Sequence, residues 1–373
     1  MSLGTTTEGL RRFVRDYTDG VSTGDFRRLV GSDLAHAYDV LTREQTEPEP
    51  SGRLARCWHR CKVLFLGLSA KLSPARRMVF AVSVLLGIAG LVVGTDQLDA
   101  TNEKVLLGVA LAGLVLLLAL ELADRVAVRD ELEVARALQQ ALLPERPPEI
   151  AGWAIACSSE TANTIGGDLY DIIPLEDGRV AVLVGDASGH GIAAGLLMAI
   201  ASSTVKLALD DDPAPRPVVA LLNRALVRTG DRRAFMTLFY GLLDPPTGRL
   251  DFALAGHPYP LLRRATGGVV ELGSGSLPLG IYRAVEPYAG SVDLAPGDVL
   301  AVVTDGIPEA LDAAGRSFGF DRLQAAVAAG GDARAVHGRV LDRLGSFEGD
   351  RPADDDRSLV VLHRLPGPPP PPP

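Results

Sequence analysis

The chain has little cysteine, no excess of positive charge and no early apolar stretch. Three cysteines among 373 residues, at irregular spacing, cannot build a disulfide framework, which points to a reducing compartment. Lys and Arg number 37 against 46 Asp and Glu, so the net charge is −9 and the isoelectric point about 5.3. A nucleic-acid surface would show a basic stripe, and none is expected here. The apolar stretches begin too late for a cleavable signal peptide.

Two segments lack charge altogether. Mean hydropathy is +0.18 although 22% of the residues are charged, and Met78–Gly94 and Val105–Leu120 account for it. Each approaches the roughly 17–25 residues that cross a bilayer as a helix. A buried hairpin in a soluble core is the alternative, but uninterrupted apolar character favours the membrane. Arg53, Arg56, Arg60, Lys62, Lys71, Arg76 and Arg77 precede the first run, and the positive-inside rule puts that side in the cytoplasm. The expectation is a multi-pass protein of the cell membrane. It has a transmembrane hairpin over residues 76–122, membrane lipid as a partner, and both chain ends cytoplasmic.

Residues 1–75 read as a helical cytoplasmic region, with Leu10, Phe13, Val14 and Tyr17 at helical spacing and a linker from Thr46 to Gly52. Cys57 and Cys61 would share a helix face, but a zinc site needs further ligands. Residues 123–145 form a linker helix in which Val128, Leu132, Ala135, Gln139 and Leu142 step by four and three. That is a short coiled-coil seam and hence a possible homodimer, or else a face that packs on the next domain. Pro144, Pro147 and Pro148 stop the helix.

From 149 to 365 strand-like and helix-like runs alternate. Trp153–Ser158, Arg179–Gly185, Phe235–Leu243, Leu250–Ala255, Val299–Thr304 and Ser358–His363 read as strands. Ile192–Leu209, Arg216–Thr229, Phe320–Ala329 and Ala333–Leu344 read as helices. Helices in blocks separate from the strands suggest an α+β layered domain. The Pro-rich tail over 366–373 reads as extended and disordered.

Four aspartates sit in separate turn sequences: Asp168 in GGDLYD, Asp186 in GDASGHG, Asp305 in TDGIPEA and Asp355 in DDDRS. Singly, an aspartate at a strand end is a turn or a cap. Together, with glycine beside them, they suit hard divalent cations, which take oxygen ligands including backbone carbonyls such as that of Ala187. Two such ions activate a hydroxide nucleophile and clamp a phosphoryl group.

The same segments carry a resemblance. LQQALLP, GGDLYD, GDASGHGIAAGLLMA, AGHPYPLLRR, LPLGI, LAPGDVLAVVTDGIPEA and DDDRSLVVL run in order from about Leu138 to Leu365. They resemble the SpoIIE/RsbU-type serine/threonine phosphatases of the PPM superfamily. The resemblance implies an α-β-β-α sandwich of two antiparallel sheets flanked by helices, with two Mn²⁺ or Mg²⁺ ions at one end. Asp186 would bridge the ions, with the Ala187 carbonyl on one; Asp305 and Asp355 would hold the second; Asp168 would serve the first, directly or through water. Asp186, Asp305 and Asp355 would thus carry catalysis. By the same resemblance, the substrate is a phosphorylated STAS-domain anti-sigma-factor antagonist.

In Asp354-Asp355-Asp356 the register is ambiguous by one, and Asp355 fits the family's Asp-Asp-x-Thr pattern, with Ser358 replacing Thr. Family members often have an acidic pair where Asn163 and Thr164 stand, a change that affects the first metal or its regulation. His190 is a candidate general acid, although its Gly-His-Gly setting favours a structural turn. His257 reads as a turn residue, Arg263 and Arg264 as phosphate contacts or solvent-facing charges, and Cys157, Tyr170 and Met198 as packing. The competing functions are a noncatalytic binding module of the same fold and a different binuclear hydrolase, such as a phosphodiesterase.

Overall fold

Period-two burial and glycine-punctuated turns organise most of what the structure shows. The computed structural model describes residues 52, 59, 62, 65–93, 100–144, 146–189, 191–229 and 234–366. The expectations for residues 1–45, for most of the 46–52 linker, for Cys57, Cys61 and His190, and for the tail after Pro366 fall outside the described residues. The chain divides into two compact units, residues 1–127 and 128–373.

The first unit contains helix α1 (Pro74–Val93) and the opening part of α2 (Ala100–Gln140). Small residues set their approach: a Cβ on Gly90 would lie 3.0 Å from Leu107, and one on Gly113 would collide with the Ser83 hydroxyl. Close backbone packing through small residues is how helices associate where apolar burial gives no drive. Leu85, Leu91 and Leu111 point outward, 63–70% exposed. Arg76 pairs with Asp124 at 2.5 Å, just outside the apolar runs. Both helices are long and apolar enough to cross a membrane.

The second unit holds ten strands: β1 (Trp153–Glu160), β2 (Asp168–Pro174), β3 (Val180–Ala187), β4 (Met236–Asp244), β5 (Arg249–Ala255), β6 (Leu261–Arg263), β7 (Val269–Glu271), β8 (Tyr288–Asp293), β9 (Val299–Val303) and β10 (Arg357–Arg364). Helices α3 (Ile192–Asp211) and α4 (Pro215–Val227) precede β4, and α5 (Gly319–Ala328) and α6 (Ala333–Glu348) precede β10. The strands form two antiparallel sheets, ordered β1-β10-β9-β6-β7 and β2-β3-β4-β5-β8. Tyr170, Val182, Phe239, Phe252, Leu300 and Val360 meet between the sheets. Helices α3 and α4 cover the outer face of one sheet through Met198, Val205 and Leu222. Helices α5 and α6 cover the other through Leu323, Val336 and Leu344. The architecture is an α-β-β-α sandwich.

The six expected strands and four expected helices match these elements to within four residues at each end. Four strands went unread. GGDLYD looks like a turn, β6 and β7 have three residues each, and YAGSVD in β8 has a glycine and few apolar residues because it is an edge strand.

Helix α3 is a third helix long and apolar enough to cross a membrane. Its apolarity has another cause: Ala194, Met198, Ala201 and Val205 are fully buried in the domain core. A helix seated on a sheet through one face cannot also be surrounded by lipid. It belongs to the sandwich.

Candidate metal centre

The alternation that fills the inter-sheet core also positions the polar centre. In β3 Val180, Val182 and Val184 face the opposite sheet, so Asp186 faces it too. In β2 Ile172 and Tyr170 do so, and Asp168 follows. Leu300 and Val302 of β9 lead to Thr304, and Leu362 and Val360 of β10 lead back to Ser358. At one end of the sandwich, therefore, each of these strands exchanges its next inward apolar residue for a polar one.

Those groups meet across the sheets. Thr304 Oγ1 donates to Asp168 Oδ2 at 2.8 Å and accepts from the Ser358 backbone N–H, also at 2.8 Å. The Ser358 hydroxyl is directed at Ser159 Oγ, 2.9 Å away. Asp168, 2% exposed, is left with Oδ1 buried and without a hydrogen-bond partner. Burying a carboxylate oxygen unmet is costly unless something else satisfies it.

The electrostatics agree. Burial pushes the Asp168 carboxyl up, the Ser358 and Thr304 hydroxyls pull it back, and Asp356 and Asp305 raise it further. Asp186 is raised by burial and then by Asp168, Asp305, Asp355 and Asp356. Asp305 is pushed up to about 6 by burial, then by Asp355 and Glu309. No basic side chain figures among these influences. The expected carboxylates therefore share one neighbourhood with a surplus of negative charge. They do not form a closed cage: among the described residues no three Asp, Glu, His or Cys side chains are gathered tightly enough to make a finished ion site.

Asp355 and Asp356 separate by environment. Asp356 Oδ1 accepts from Ala162 N–H at 2.8 Å and Oδ2 from Gly167 N–H at 2.6 Å. Both of its oxygens are thus occupied in tying the GGD loop to the start of β10. Among the described residues, exposed Asp355 accepts from the Asp356 N–H, at 2.9 Å. Two glycines are required by proximity. A Cβ on Gly167 would lie 2.6 Å from the Ala187 carbonyl oxygen, and one on Gly306 would collide with the Asp356 carbonyl.

Gln139 joins this loop from the end of α2. It is 7% exposed; its Nε2 donates to Gly166 O, and its Oε1 accepts from Gly166 N–H at 3.1 Å. In the sequence it was one position of a helical seam. Leu142 packs on the domain core as well, so the C-terminal half of that seam faces the sandwich, while Val128 at its start is 55% exposed.

The remaining candidates are structural. His257, 4% exposed, pairs through Nδ1 with Thr237 Oγ1 at 3.0 Å. Burial drives its pKa down to about 3, against the nearby Val303 carbonyl, so the ring is neutral. Arg264 does not face solvent freely: it binds Asp298 at 2.7 Å and the Asp293 carbonyl at 2.8 Å. Arg263 lies on β6 beside Gly330. Tyr170 and Met198 are core residues, and half-buried Cys157 packs against the inter-sheet layer. Asn163 and Thr164 are exposed in the loop before β2. The roles of Thr304, Ser358 and Gln139 were missed, while Asp356 was weighed only as the alternative register to Asp355. Only the first two had a sequence signal, as the polar ends of inward-facing alternations.

The donor set fits a hard divalent cation. It is all oxygen, mostly carboxylate, short of counter-charge and includes one buried oxygen with nothing to bind. A two-sheet sandwich with helical outer layers and an aspartate cluster at one end defines a PP2C-like fold with a candidate metal centre. The chain matches the family Stage II sporulation protein E (SpoIIE) over residues 176–365 and belongs to it. Among curated proteins it is similar to protein IcfG of Synechocystis sp., with 27% identity over 262 residues, covering 62% of this chain and 41% of that protein. It is also similar to phosphoserine phosphatase RsbU of Bacillus subtilis, with 28% identity over 187 residues, covering 49% of this chain and 54% of RsbU. The chain thus spans about half the length of these relatives. Among solved structures it shares its fold with the SiaA-PP2C domain of Pseudomonas aeruginosa, at TM-score 0.56 and 21% identity, over 65% of this chain and 98% of that one. The RsbU and RsbW domains of Rv1364c from Mycobacterium tuberculosis match at TM-score 0.52 and 26% identity, over 61% and 64%.

Proposed function

We propose that the chain is a membrane-anchored, metal-dependent protein phosphatase that hydrolyses phosphoserine or phosphothreonine on a cytoplasmic regulator. The carrying observation is the mutually repelling set of buried Asp168 with half-buried Asp186 and Asp305, with Asp355 beside them and Asp168 Oδ1 unmet. Two Mn²⁺ or Mg²⁺ ions, held by Asp168, Asp186, the Ala187 carbonyl, Asp305 and Asp355, would activate water at neutral pH and neutralise charge on the phosphoryl group.

The chain's own residues prepare that centre. Thr304 orients Asp168 by occupying Oδ2, which leaves Oδ1 without a hydrogen-bond partner. Asp356 and Gln139 hold adjacent glycines of the GGD loop, which keeps Asp168 in register with Asp186. No side-chain nucleophile is needed, consistent with the seat of Cys157 in the sheet.

The relative named phosphoserine phosphatase RsbU and the solved pairing of RsbU with RsbW domains support a place in sigma-factor regulation. The proposed substrate is therefore a phosphorylated STAS-domain anti-sigma-factor antagonist. Basic residues ahead of α1 support a cytoplasmic domain, and the exposed start of the α2 seam supports a homodimer through that helix. A second reading, a noncatalytic binding module, rests on Asn163 and Thr164 standing where family members often carry acids. The full chain in detergent, given Mn²⁺ and a phosphoserine protein, separates the two. Phosphate release that Asp186→Asn abolishes supports the enzyme, and no release with any divalent metal supports the module. Comparing phosphomonoesters with diesters tests the class of ester.

A further inference from the structure

We infer that a cavity beside Asp305 receives a lysine or arginine side chain flanking the phosphorylated residue, and so selects which phosphosites the centre accepts. This rests on the phosphatase reading. The cavity measures about 460 Å³, within the range of about 300–1,000 Å³ typical of ligand sites. Asp305, Glu271 and Glu309 border it, and the residues described along its wall include no lysine or arginine. Tyr259 and Phe320 supply aromatic surface, and Phe320 is 45% exposed although large and apolar.

An acidic rim with aromatic walls is the setting in which a guanidinium or ammonium gains both ion pairing and cation–π attraction. Gln324 Nε2 donates to Glu271 Oε1 at 3.1 Å, which orients that carboxylate without neutralising it. His257 closes the inner end of the wall. It borders the cavity, is 4% exposed, and its Nε2 has no hydrogen-bond partner while Nδ1 is taken by Thr237. Because Asp305 belongs to both the cavity and the proposed centre, a side chain seated here places its neighbouring phosphoserine at the aspartates.

The test uses the full chain in detergent and fluorescent phosphoserine peptides of one parent sequence. Each carries a single arginine, glutamine or glutamate, moved through successive positions on either side of the phosphoserine. Anisotropy is expected to show arginine at one position binding about five- to tenfold tighter than glutamine there. Glu271→Gln and Glu309→Gln should each shrink that ratio, and Glu309→Arg should turn the preference toward the glutamate peptide. Equal binding of the three peptides at every position overturns the inference. Hydrolysis of the same peptides with Mn²⁺ is read separately. Selective binding without phosphate release keeps the cavity's role and removes the phosphatase, whereas release from all peptides with equal binding does the reverse.

Discussion

Asp168 and Asp186 stand directly opposite each other in the antiparallel ladder of β2 and β3. Like charges in that relationship repel, and here Asp168 is also buried and Asp186 half-buried. Under the proposed function, a fold that keeps this pair gives up stability in return for cation binding. Replacing Asp186 with Asn should therefore raise the melting temperature of the metal-free chain by a few degrees, the shift expected from ~1 kcal/mol in a domain of this size. Phosphatase turnover should fall by at least about a hundredfold, since losses of ~10–100-fold follow even from residues behind the ligands. Calorimetry in a chelator and phosphate release check the two halves. An Asp186→Asn chain that is less stable without metal would contradict the account of stored repulsion.

The pH dependence follows with a definite sign. Asp305 in the fold titrates at about 6, above its ordinary 3.8, so between these values the folded state binds more protons than the unfolded one. Its contribution favours folding at low pH and is lost as pH rises through that window. Burial-raised Asp168 and Asp186 extend the loss to higher pH. Metal-free wild type should consequently lose stability relative to Asp305→Asn as pH rises from about 4 to about 6. Adding Mn²⁺ should restore more stability at pH 7 than at pH 5. Paired melting curves across that range measure it.

Thr304 both donates to Asp168 and accepts from Ser358. Thr304→Val removes the hydroxyl and leaves a buried N–H and a second carboxylate oxygen unmet, a cost of about 1–3 kcal/mol. Thr304→Ser keeps the hydroxyl and should recover most stability and metal affinity. Titration of Mn²⁺ by calorimetry, beside thermal melts, distinguishes loss of positioning from simple unfolding.

Gln139 is bound to both backbone groups of Gly166. Gln139→Ala frees them and should speed hydrogen exchange in the loop around Gly166 and Gly167, with phosphatase activity falling as Asp168 loosens. Gln139→Glu retains the acceptor for the Gly166 N–H and loses the donor, so an intermediate effect is expected. Exchange read by mass spectrometry over the loop peptide provides the measurement.

Helix α3 supplies a test of membrane topology. Leu207 is 69% exposed and Met198 fully buried. Leu207→Lys should change stability by no more than about 0.5 kcal/mol, while Met198→Lys should unfold the domain by burying an unpaired charge. If lipid surrounded this helix, both substitutions would be severe.

Residue order and pattern alone determined a good deal. Two uncharged runs announced the α1–α2 hairpin, period-two apolar stretches marked six of ten strands, and glycine-flanked aspartates at strand ends marked the acidic set. Such features are local, and side-chain chemistry reads out over a few positions. Tertiary structure decided the rest. Thr304 and Asp168 lie 136 positions apart, and only the stacking of two sheets makes them neighbours. Whether Gln139 faces another helix or the GGD loop depends on how the end of α2 docks. Asp355 and Asp356 have identical side chains, and backbone N–H groups of Ala162 and Gly167 tell them apart. Periodicity specifies which face a residue takes, while the partner it finds there depends on long-range packing that no local pattern encodes.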